Sequence, residues 1–87
     1  MILQTETLAP ALRAGRAALG WTQPKLAKKS GISLPTIVRM EQSADSRTST
    51  VLALFRAFAD HGVEFQWKED GFEMTVNFLQ KQLTTTD

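Results

Sequence analysis

The sequence predicts a mainly α domain, four helices followed by a C-terminal β-hairpin over about 63–68 and 72–78. Three observations predict it. Apolar residues recur at helical spacing from Leu8 to Phe58, and Gly, Pro, Thr and Ser cut the run into helix-length segments. From Val63 the period changes to two, with Asp70-Gly71 between two alternating runs. The 87 residues contain no cysteine, so one domain must hold together by packing rather than by disulfides or thiolate–zinc staples.

Leu8, Leu12, Gly15 and Leu19 lie on one face of the first helix. Thr5 or Thr7 is expected to cap it, Pro10 to sit in its first turn, and Gly20 to end it. Thr22 is the N-cap of a second helix, with Pro24 in a first turn that needs no intrahelical N–H. Leu26, Ala27 and Ser30 face inward and Gly31 stops the helix. Ser33 caps a third helix, Pro35 falls in its first turn, and Ile37 and Met40 form its buried pair. The polar stretch Gln42 to Arg47 reads as a loop. A fourth helix begins near Thr48 or Ser49, buries Val51, Leu54, Phe55 and Phe58, and closes at Asp60-His61-Gly62.

With Asp70 and Gly71 as the hairpin loop, Glu69 faces Phe72. The following pairs are Trp67–Met74, Phe65–Val76 and Val63–Phe78 on one face, and Lys68–Glu73, Gln66–Thr75 and Glu64–Asn77 on the other. A slip of one residue destroys this agreement. The apolar strip Val63, Phe65, Trp67, Met74, Val76 and Phe78 needs cover, because a lone two-stranded hairpin is marginal in water. The fourth helix or a second subunit can provide it, and dimerisation through the strip is the expectation. Aromatic strands also serve as RNA-stacking platforms, but Glu64 and Glu73 interleave these ones and favour a core or dimer role. Leu79 to Asp87 is mostly polar and is expected to fray.

Several function classes drop out. There is no paired nucleophile and base, no metal-ligand spacing and no phosphate loop, so neither an enzyme, a metal site nor a cofactor is expected. His61 has no companions for catalysis or metal binding, and a helix C-terminus explains it without function. No apolar run is long enough to span a bilayer, and the first residues have no basic segment. A soluble cytoplasmic protein without a membrane partner is expected.

Two short helices joined by a glycine-containing turn form a helix-turn-helix arrangement. The run Gly20-Trp21-Thr22-Gln23-Pro24-Lys25-Leu26-Ala27-Lys28-Lys29-Ser30-Gly31-Ile32-Ser33, continued by Thr36-Ile37-Val38-Arg39-Met40-Glu41, resembles the Cro/C1-type (XRE, lambda-repressor-like) helix-turn-helix family. The resemblance spans roughly residues 8–60 and implies double-stranded DNA as partner. It implies that Gln23 braces a phosphate and the third helix. It implies that Ser33, Leu34, Pro35 and Arg39, with Thr36 beside them, face the bases. It places Thr22 and Lys25, and Ser43, Arg47 and Thr48 with Gln42 in the following loop, against the DNA backbone. It makes Arg16 and Glu41 a structural ion pair between the first and third helices. Trp21, read on its own, is expected to be a core plug rather than a ligand-binding aromatic.

Two departures from the family matter. Leu34 and Pro35 stand where polar base readers are familiar; they suit thymine methyl groups, and Arg39 becomes the main hydrogen-bonding reader, best matched to guanine O6/N7. A hairpin also replaces the fifth helix of the phage repressors. Antitoxins of HipBA-type toxin–antitoxin modules likewise end in strand, and their strands pair between subunits. The resemblance thus implies a transcriptional regulator, a repressor that binds an inverted repeat as a homodimer. The alternative it implies is an antitoxin that also binds a toxin protein.

The net charge of +1 conceals an asymmetry. Arg13, Arg16, Lys25, Lys28, Lys29, Arg39 and Arg47 outnumber Glu6, Glu41 and Asp45 in residues 1–47, leaving +4. Residues 48–87 carry three cations against six anions, leaving −3. The helix-turn-helix half is the end suited to phosphates.

Overall fold

Four helices and two strands follow in the order α1 (Thr5–Leu19), α2 (Gln23–Ser30), α3 (Leu34–Ser43), α4 (Thr48–Asp60), β1 (Val63–Lys68) and β2 (Gly71–Val76). The computed structural model describes residues 5–43 and 47–77. Phe78, the segment 79–87 expected to fray and residues 44–46 of the expected loop lie outside the described residues.

Each helix contributes to one core. Leu8 and Leu12 of α1, Leu26 of α2, Ile37 and Met40 of α3, and Val51, Leu54 and Phe58 of α4 are buried, joined by Val63 of β1. Gly15 permits a close approach in it. A Cβ there would stand 2.5 Å from the Phe58 ring, inside the distance any real contact allows, so α1 and α4 meet only because residue 15 has no side chain. Trp21 is partly buried against the same core, 6.1 Å from Phe58 between ring centroids.

The helix ends follow local chemistry. Gly20 N–H donates to the Ala17 carbonyl and Trp21 N–H to that of Arg16, the paired bonds of a Schellman end. Thr22 Oγ1 accepts from Lys25 N at 3.2 Å, as its place before Pro24 predicts. Gly31 ends α2 at φ 77°, a left-handed conformation that a Cβ disfavours. Ser33 Oγ accepts from Thr36 N and shares a 2.7 Å hydrogen bond with Thr36 Oγ1. His61 caps α4, its Nδ1–H donating to the Ala57 carbonyl at 2.9 Å.

Three local expectations need correction. Thr7 lies inside α1 rather than capping it, and Pro10 sits inside the helix rather than in its first turn, because the helix opens at Thr5. Gln42 and Ser43 extend α3 rather than entering a loop, whereas α4 opens at Thr48, within its expected start. The Glu41 carbonyl in that last turn of α3 accepts a hydrogen bond from Arg13, which favours its persistence.

The hairpin register also differs, by two residues. Val63 pairs with Val76, Phe65 with Met74, and Trp67 with Phe72, and the loop is Glu69–Asp70 rather than Asp70–Gly71. Gly71 opens β2 opposite Lys68. A shift of two keeps every side chain on its face. It also replaces the unproductive Glu69–Phe72 pair with Trp67–Phe72, so Phe72 gains an apolar partner across the hairpin. The Lys68–Glu73 ion pair forms as a diagonal contact at 3.4 Å instead of a direct one. Asn77 N–H donates to the Gly62 carbonyl and closes the open end of the hairpin.

The apolar face of the hairpin lies on α4. The Phe55 ring meets Phe65 at 4.9 Å and Trp67 at 5.1 Å, both edge to face, a favoured aromatic geometry. Val63 is fully buried in the same core, so it offers no surface to a second subunit, and Phe65, Trp67 and Met74 are half-buried against the helices. Of the expected dimer strip only Val76 is exposed among the described residues.

Candidate nucleic-acid interface

α2, the Gly31 turn and α3 follow one another, and each carries exposed residues. Thr22, Lys25, Lys28 and Lys29 are exposed on α2. Ser33, Leu34, Pro35 and Arg39 are exposed on and just before α3, with Thr36 and Val38 half-buried. Pro35 and Arg39 are four residues apart, so one helix face carries both. Arg47 is exposed at the start of α4. Ser43 has a helical backbone at the end of α3.

What fixes α3 in this arrangement is Glu41. Its side chain is only 5% exposed and grips Arg16 in a two-point fork, Nε to Oε2 at 2.7 Å and Nη2 to Oε1 at 2.9 Å. Such bidentate pairs are directional as well as strong. Arg16 Nη1 also donates to the Trp21 carbonyl at 3.0 Å, tying in the turn between α1 and α2. Gln23 Nε2 donates to Glu41 Oε1 at 3.2 Å. One carboxylate therefore fastens α3 to α1 and to the first residue of α2.

The sequence-predicted residues thus divide into two sets. Arg16, Gln23 and Glu41 come together beneath the surface, while Thr22, Lys25, Ser33, Leu34, Pro35 and Arg39 form the surface itself. Gln23, expected to brace a phosphate and α3, contacts the end of α3 through Glu41. Phe65 and Trp67 meet Phe55 edge to face and are half-buried against the helices, a core role for these rings. Sequence reading missed Arg13, whose Nη1 donates to the Glu41 main-chain carbonyl at 2.8 Å. Its three-residue spacing from Arg16 was the available signal.

A family model for the helix-turn-helix, HTH_3, matches residues 12–59, from the middle of α1 to the last turn of α4. The chain belongs to this family. HTH_3 is the Cro/C1-type family of the XRE class, and its members bind DNA through the helix-turn-helix rather than catalyse a reaction. DNA binding in the service of transcription regulation is therefore the coarse function of the HTH_3 domain here. No curated protein matches the sequence. Among the described residues no helix is long and apolar enough to cross a membrane.

Proposed function

We propose that the chain is a sequence-specific transcriptional regulator that represses by occupying an inverted-repeat operator as a homodimer. One observation carries the reading: α3 has an exposed outer face and is secured at both ends, by the Ser33 cap and by the Glu41 node. A helix held this way presents the same face at every encounter, which base reading requires. Arg39 hydrogen-bonds a base edge, with guanine the best match, and Leu34 and Pro35 take thymine methyl groups. Thr22, Lys25, Ser43 and Arg47 hold phosphates. The Gln23 amide has two N–H groups, one directed to Glu41 and one for a phosphate.

The outer edge of β2 and exposed Val76 are the hairpin's contribution to the dimer, since its apolar face is spent on α4. Strand edges carry unpaired N–H and C=O groups that favour pairing with a second copy. Two recognition helices then sit about 34 Å apart, one turn of the duplex.

Selection of bound sequences from a random pool, at several salt concentrations, tests the reading. An inverted repeat with half-sites about one turn apart is expected; a pool that stays random counts against sequence reading. Arg39→Ala is expected to cost about 1–3 kcal/mol on the selected sequence and to relax one base position. Equal binding by variant and wild type removes Arg39 from that role. Val76→Lys is expected to shift sedimentation toward monomer without loss of helix. A dimer that survives it places the interface on the helices.

A further inference from the structure

We infer that Arg13 is a positioning residue for DNA reading: by holding the Glu41 carbonyl it sets the angle at which α3 meets the bases. The inference rests on the base-reading role of α3 proposed above.

The last four carbonyls of a helix have no intrahelical donor. Glu41 stands in the last turn of α3, which runs to Ser43. Arg13 Nη1 donates to its carbonyl from a different helix, at 2.8 Å. The donor is a cation at the negative end of the helix dipole, which strengthens the bond. Arg13 and Arg16 thus take the two chemically distinct halves of one residue. Arg16 grips the carboxylate and Arg13 grips the peptide.

The division matters mechanically. A bond to a carboxylate fixes the side chain but leaves the helix able to swing through the side-chain torsions of Glu41. A bond to the carbonyl fixes the peptide plane itself. Together they convert a pivot into a clamp. Seven residues separate Glu41 from Leu34, about 10 Å along the helix axis. A tilt of about 10° at the clamp displaces the first turn of α3 by roughly 2 Å, more than a base-edge hydrogen bond tolerates. Arg39 lies only two residues before Glu41, but its long side chain magnifies the same tilt at its tip. Arg13 is itself exposed, so removing it leaves the buried core intact.

The test uses the full chain and compares the selected sequence with random DNA at one salt concentration. Arg13→Ala is expected to weaken binding to the selected sequence about tenfold, the size of one lost base pair match. Binding to random DNA is expected to change by less than about twofold, because it depends on phosphate neutralisation alone. Arg13→Lys, which keeps a charged donor, is expected to restore most of the selectivity. Equal losses on both DNAs make Arg13 a phosphate contact and overturn the proposal, and so does an unchanged ratio. Should Arg13→Ala fail to fold, Arg13→Gln against Arg13→Lys supplies the same ratio. A wild type that prefers no sequence overturns base reading itself and this inference with it, a failure visible before any substitution is made.

Discussion

The two attachments that give this domain its shape use opposite chemistry. α3 is fastened to α1 and α2 through one buried carboxylate, two arginines and an amide. The hairpin is fastened to α4 through aromatic rings meeting edge to face. Hydrogen bonds and forked ion pairs have narrow angular limits, so the first attachment fixes a direction. Apolar burial is nearly non-directional, so the second fixes only which face is covered. The directional attachment lies under the helix that must point at DNA.

Breaking the polar attachment should have the largest effect. Glu41→Ala leaves Arg16 without its partner in a mostly desolvated site, and a loss of about 3–5 kcal/mol of stability is expected. Chemical denaturation measures it, and a loss below about 1 kcal/mol would show that water satisfies the arginine instead. Phe55→Leu removes the ring that touches Phe65 and Trp67 and should cost about 1–2 kcal/mol. The comparison sharpens in the second readout, because Phe55→Leu should leave the preferred DNA sequence unchanged. A changed preference would mean that the hairpin also orients α3. Lys68→Ala should cost less than about 0.5 kcal/mol, since its pair with Glu73 is exposed on both sides. A larger loss in a melting experiment would assign the hairpin a polar determinant after all.

The same contrast explains what could be read from the sequence. Arg16 and Glu41 stand at fixed positions of a recognisable pattern, and each side chain has few chemically suitable partners. Their pairing was therefore legible, as were the Thr22 and Ser33 caps and the Gly31 turn. The hairpin register was not, because a two-residue slip preserves every face and gives Val63, Phe65 and Trp67 an apolar partner in either register. The role of Arg13 was hidden for another reason: its acceptor is a main-chain carbonyl, a group that every residue carries. The extension of α3 through Gln42 and Ser43 was hidden because polar residues in a last turn have no apolar period.

The two tryptophans stand at the two ends of one chain of aromatic contacts. The Trp21 main chain joins the polar clamp, its carbonyl accepting from Arg16, while its indole lies edge-on to His61 at 4.9 Å. Trp67 lies edge-on to Phe55 in the aromatic contact. Phe58 touches both neighbourhoods, 6.1 Å from Trp21 and 5.9 Å from Phe65. Fluorescence from the two indoles is therefore expected to follow one cooperative melt, because Phe58 and Phe65 link their surroundings within a single core.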